Sequence, residues 1–152
     1  MDRITVIWFV SLVAAVILHE ISHGVVALFF GDDTAKRAGR LTLNPGPHID
    51  PFGSIIIPAL GALSGLPVIG WAKPVPVNLN QLPHPRRDFM YVAAAGPASN
   101  LVQAGILAGV AWLLYPGGLE RSLVAQLIGF GVQINVLLAL FNLIPVPPLD
   151  GG

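Results

Sequence analysis

Three apolar runs, Ile4 to Phe30, Phe89 to Tyr115 and about Ser122 to Leu143, are each long enough to cross a bilayer as a helix. Such runs leave a chain few options, because in hydrocarbon every backbone polar group must find its partner within the segment. They use up most of the 152 residues, so one domain, residues 1–152, is expected, with no room for a soluble domain of ordinary size. Composition agrees: charged residues make up 11% of the chain, against about 25% in soluble domains. Formal net charge is zero and no stretch is strongly basic, so a nucleic-acid partner has no support. Cysteine is absent, which excludes disulfides and thiolate metal sites. The opening Met1-Asp2-Arg3 resembles a signal peptide, but the apolar run outlasts a signal core and reads as a retained anchor.

Between the first and second runs the pattern changes. Leu41 to Pro51 alternates briefly and holds three prolines, which predicts strand and turn. Phe52 to Trp71 is apolar but interrupted by Gly53, Pro58, Gly61, Gly65, Pro67 and Gly70. That predicts a broken, re-entrant or β-like segment. Ala72 to Arg87 is a proline-rich connection. The expected fold is therefore an all-α polytopic membrane protein with three full transmembrane helices and a re-entrant segment between the first and second. If that segment dips and returns, Lys36, Arg37, Arg40, Lys73, Arg86 and Arg87 share one side, leaving Arg3 and Arg121 on the other. The positive-inside rule then puts the N-terminus outside.

The first run is interrupted by His19-Glu20-Ile21-Ser22-His23. Residues i and i+4 share a helix face, so His19 and His23 can offer two imidazole nitrogens to one metal ion. Glu20 lies about 100° further round, within reach of a water on that metal. Ionisable side chains cost a few kcal/mol each at the centre of a bilayer and usually face a functional interior. Zinc accepts nitrogen and carboxylate ligands, and catalytic sites use three protein ligands. Asp150, after a proline-stopped span and before Gly151, is a candidate third ligand, with Asp50 and His48 as competitors. Asp150 meets the histidines only if the first and last spans run in the same direction, which a re-entrant Phe52 to Trp71 allows. Glu20 would then act as general base for peptide hydrolysis.

Asn142 has two readings, a donor to the scissile carbonyl or an interhelical hydrogen bond. Asn100, Gln103, Gln133 and Asn135 read as helix-packing contacts, and Ser22 as packing. Gly96-Pro97 predicts a kink, and Gly105-x-x-x-Gly109 predicts close helix approach.

These residues resemble the site-2 protease family of intramembrane zinc metalloproteases, compact prokaryotic type. The resemblance is carried by His19 to Gly24, by Leu43-Asn44-Pro45 through His48-Ile49-Asp50-Pro51-Phe52-Gly53, and by Gly70 to Val77. Ala95-Gly96-Pro97-Ala98-Ser99-Asn100 and the closing Asn142 to Gly151 complete it. It implies zinc ligands His19, His23 and Asp150, Glu20 as general base, Asn142 near the scissile peptide and one Zn2+ per chain. It also implies membrane-anchored protein substrates cut in or near their transmembrane helices. The expected location is the cell membrane, multi-pass, with the active site toward the cytoplasmic side. Leu41 to Leu43 and Val75 to Val77 are candidate edges for an extended substrate. The family continues beyond the Asp-Gly stretch, so the chain reads as a catalytic core fragment or a truncated copy.

Three rivals stand beside this reading. A catalytically silent family member would act as a membrane scaffold. A metal-translocating protein would need further acidic or His residues along Phe89 to Tyr115 and Ser122 to Leu143, which have none. The prenyl-protein peptidases would want a later acidic ligand within a helix rather than a Pro-Leu-Asp-Gly turn.

Overall fold

A computed structural model describes residues 2–147 and 149–152. Helix α1 (Arg3–Phe29) starts where the Asp2 side chain accepts the Thr5 N–H at 2.8 Å and stops at Gly31, whose φ is 104°. A one-turn helix, α2 (Thr34–Arg37), follows. Next come a π-helical turn (Pro51–Ile56), α3 (Ile57–Ser64) and the two long helices α4 (Pro85–Leu114) and α5 (Leu123–Asn142). Helices α1, α4 and α5 are each long and apolar enough to cross a membrane, and each packs against the other two. Helix α4 starts four residues earlier than the apolar pattern predicts. Pro85 suits the first helical turn, and Asp88, fully buried, accepts the His84 N–H at 2.8 Å and an Arg87 N–H at 2.9 Å.

The bundle is built inside out relative to a soluble protein. Phe9, Val10, Leu101, Val102, Trp112, Leu113, Leu137 and Leu140 face outward, whereas Ala15, Ala27, Ala104, Ala125 and Ala139 are buried. Small residues bring backbones close enough for dispersion and hydrogen bonding, the forces left when the surroundings are as apolar as leucine. Gly131 serves this purpose, since a Cβ there would meet the Leu107 side chain at 2.7 Å. Gly105 and Gly109 do not: none of the described residues lies within 4 Å of the space their side chains would fill, so the expected close approach is absent among them. Asn100 and Asn135 pair across helices as expected. Gln133 is exposed, and the buried Nε2 of Gln103 has no partner among the described residues.

The segment between α2 and α4 enters and returns. Pro51 to Ser64 is helical for 14 residues, roughly 21 Å at the α-helical rise, which is short of the ~30 Å hydrocarbon thickness. Gly65, at φ 71°, caps α3 in the left-handed region, and the chain runs back beside it. The Trp71 N–H then donates to the Gly53 carbonyl at 3.0 Å, and the Lys73 N–H to the His48 carbonyl at 2.8 Å. Both ends of the hairpin therefore lie together, as the re-entrant reading expects. No strand occurs among the described residues: Leu41 to Leu43 is a series of bends and Val75 to Val77 has no regular secondary structure. The alternation seen at Leu41 to Leu43 is overridden by a local turn, in which the His48 imidazole bonds the Thr42 carbonyl at 2.9 Å.

Candidate metal centre

His19 and His23 sit one turn apart on the buried face of α1, 5% and 8% exposed. Their Nε2 atoms are 3.1 Å apart. Asp150 Oδ2 lies 2.8 Å from the first and 3.2 Å from the second. Among the described residues these three are the group of His, Asp or Glu side chains that could hold a metal ion. The first and last spans thus bring the distant carboxylate to the histidines.

The competitors are used elsewhere. His48 is buried in its own loop against Thr42, and Asp50 Oδ1 accepts the N–H groups of Phe52 and Gly53, starting the π-helical turn. Asp150 reaches back because residues 149–152 turn onto the end of α5. The Gly151 N–H donates to the Asn142 carbonyl at 2.7 Å, and a Cβ at Gly151 would stand 2.5 Å from the Leu143 oxygen. That contact anchors the turn that carries Asp150.

The tautomers follow from the hydrogen-bond chain. Asn135 Nδ2 donates to the Gly131 carbonyl at 2.8 Å, so its Oδ1 is turned to Asn100. Asn100 must present Nδ2 there, at 2.7 Å, which directs its own Oδ1 at His19 Nδ1, 2.5 Å away. An amide oxygen can only accept, so His19 carries its proton on Nδ1. His23 Nδ1 donates to the Val92 carbonyl at 2.7 Å in the same way. Both Nε2 lone pairs and a buried carboxylate oxygen that no proton donor among the described residues satisfies then point into one space. Three acceptors converging without a donor repel one another, whereas a divalent cation between them would satisfy all three. The donor set fits zinc.

Helix α4 closes the site from above. A Cβ at Gly96 would stand 2.5 Å from His19 Cε1 and Nε2 and from His23 Nε2. Sequence reasoning treated Asn100 as packing and gave Gly96 only a kink. The signal for both was their spacing: residues 92, 96 and 100 form one face of α4, and that face holds the Val92 carbonyl, the glycine and the amide. Among the described residues Asn142 makes no hydrogen bond to another helix. Its Nδ2 donates to the Leu138 carbonyl of its own helix at 3.0 Å. Ser22 likewise bonds back to Leu18, as a packing residue does.

Glu20 is half-buried, and its Oε2 accepts the Val75 N–H at 3.1 Å. This alters one expectation. Val75 has its N–H engaged, Pro74 and Pro76 have none, and the Lys73 and Pro74 carbonyls are taken by Arg40. That stretch offers an added substrate strand no free amide at 74–76 and no free carbonyl at 73–74.

Comparison with known proteins gives the lineage. The chain is 43% identical over 147 residues to a Bacillus subtilis (strain 168) protein, YwhC, covering 93% of this chain and 64% of that one. It is 34% identical over 145 residues to Rip2 of Mycolicibacterium smegmatis, covering 95% of this chain and 52% of Rip2. With Rip3 of Mycobacterium tuberculosis it shares 29% identity over 143 residues, 94% of this chain and 28% of Rip3. All three carry the name "Putative zinc metalloprotease". The chain therefore spans between half and two thirds of the length of YwhC and Rip2. No family model matches it, and no solved structure does. Relatives named for zinc and for proteolysis, aligned over nearly all of the chain, make it similar to the site-2 protease-like zinc metalloproteases.

Proposed function

We propose that the chain is the membrane-embedded core of a zinc metalloendopeptidase that hydrolyses peptide bonds in or near the transmembrane helices of membrane-anchored proteins. The observation that carries this reading is the convergence of His19 Nε2, His23 Nε2 and Asp150 Oδ2, with both Nδ1 atoms committed to other partners. These three residues would hold the ion, leaving the open position a catalytic zinc needs. When bound, zinc supplies Lewis acidity, which lowers the pKa of water toward about 7 and polarises a carbonyl.

The remaining work falls to the chain. Glu20 takes a proton from the attacking water and delivers it to the leaving amine. Its Oε2 is steadied by Val75, so Oε1 is the oxygen assigned to that proton. Asn142 Nδ2 would turn from Leu138 toward the scissile carbonyl. A substrate helix hides its carbonyls in intrahelical bonds, so the peptide must unwind before attack. Six of the eight basic residues lie where α1 ends and α4 begins, which supports a multi-pass protein with its site toward the cytoplasmic side.

The test uses purified protein in detergent with a tagged single-span substrate. Wild type should cut, a zinc chelator should stop it, and Glu20→Gln should lose about 10²–10⁴-fold in rate while keeping its zinc. Cutting by Glu20→Gln at the wild-type rate would remove the hydrolase reading. Zinc bound by an inert wild type would favour the silent scaffold instead.

A further inference from the structure

Arg40 counts in the sequence as one of six basic residues on one face, yet it is 4% exposed. A guanidinium that deep is costly unless its protons are partnered. Burial pushes it down from its ordinary value, and the negative charge of Glu20 opposes that. Its two terminal nitrogens donate to successive carbonyls, Lys73 at 2.5 Å and Pro74 at 3.1 Å. The next peptide N–H, that of Val75, donates to Glu20 Oε2. Three consecutive residues therefore link Arg40 to the carboxylate.

The register of this strap has little freedom. Pro74 and Pro76 lack an N–H, so within 74–76 Val75 alone can donate. A slip of one residue either way would face Glu20 with a proline nitrogen. Proline also fixes its own φ and holds the preceding residue extended. Both flanks are pinned, by Lys73 N–H to the His48 carbonyl and by Asn78 N–H to Asp32 Oδ2 at 2.7 Å. Burial would raise the Asp32 carboxyl, but the Thr34 hydroxyl and amide and the Asn78 amide more than offset it and hold it below its ordinary value. On the inner side, Gly24 lets the strap lie against α1: a Cβ there would touch Val75 Cγ1 at 3.4 Å and crowd Leu41 at 2.5 Å.

We infer that Arg40 is a positioning residue, which acts through the Lys73–Val75 strap to hold the Glu20 carboxylate in one orientation beside the His19, His23 and Asp150 cluster. This rests on the reading of Glu20 as the base. A planar fork is preorganised to span two adjacent carbonyls, whereas an ammonium is a point charge on a flexible stem, so lysine should replace it only in part.

Amide hydrogen exchange tests the strap without activity, because residues 73–77 carry only the Lys73, Val75 and Val77 amides. The Val75 amide should be protected in wild type and exchange at least ~10-fold faster in Arg40→Met. With a cleavable substrate, Arg40→Met should lower kcat by about 10–100-fold at unchanged KM and zinc content, and Arg40→Lys should fall between. Val75→Pro, which deletes the donor and keeps the guanidinium, should match Arg40→Met in kcat. Wild-type kcat and protection in Arg40→Met would overturn the inference. So would a fully active Val75→Pro beside an Arg40→Met that merely loses fold and zinc together. A wild type that cuts nothing would sink the protease reading, while the exchange result would still decide the strap.

Discussion

Around His19 the bundle spends its hydrogen bonds between helices, whereas the hairpin from Pro51 to Lys73 holds itself by backbone contacts at its base. In the first region Asn100, Asn135 and the Val92 carbonyl fix two imidazoles from α4 and α5, and small residues bring those helices close. In the second, Trp71 to Gly53 and Lys73 to His48 close the loop. The tip residues Leu63, Leu66, Val68 and Ile69 stay exposed, Leu63 at 86%. A metal centre needs atoms held to fractions of an ångström, which takes partners from several directions. An apolar hairpin tip needs none, because its surroundings in a membrane are as apolar as it is. The two regions therefore differ in what a single substitution can disturb.

Substitutions at the bundle should have the largest effects. Gly96→Ala puts a methyl group 2.5 Å from both histidines, and neither ring can yield while its Nδ1 is bonded. Zinc affinity should fall by 100-fold or more on the order-of-magnitude scale of ligand-orienting partners, measured by competition with a chromophoric chelator. Retention of full affinity would mean the helices separate freely, and the contrast with the hairpin would be lost. Asn100→Leu should cost about 10–100-fold in the same assay, because His19 loses the acceptor that fixes its tautomer. An unchanged affinity would show that Asn100 serves packing alone.

The hairpin should answer differently. Gly53→Ala sets a methyl group against the Trp71 ring, so overpacking should destabilise the chain by about 1–3 kcal/mol with zinc affinity unchanged. Leu63→Ser, at the exposed tip, should shift thermal stability in detergent by less than ~0.5 kcal/mol. A loss of zinc in either variant would show the two regions to be coupled.

Much of this was legible in the sequence. Apolar run length gave three helices long enough to cross a membrane, and the glycines and prolines of Phe52 to Trp71 gave a segment that turns back. The i, i+4 histidines and the adjacent glutamate marked the centre. Asp150 stands out in the sequence by the prolines before it and Gly151 after it, with Asp50 and His48 as competitors, and among the described residues the fold brings Asp150 to the histidines. What went unread shares a cause. Asn100 makes the helix-packing contact expected of it and also holds His19, and Arg40 counts in the sequence only as one of six basic residues, because single residue types do not reveal their neighbours. Leu41 to Leu43 alternates like a strand, but one imidazole bond to Thr42 outweighs three residues of weak propensity.

What the chain fixed by itself was the medium and the ligand pair, since hydrophobic length and helical periodicity are local properties. The third ligand, the histidine tautomers and the strap over Glu20 were decided by tertiary structure. Their contacts from Glu20 to Val75, His19 to Asn100 and His19 to Asp150 each join residues 55 or more positions apart, and such contacts depend on how helices pack, which no local pattern records.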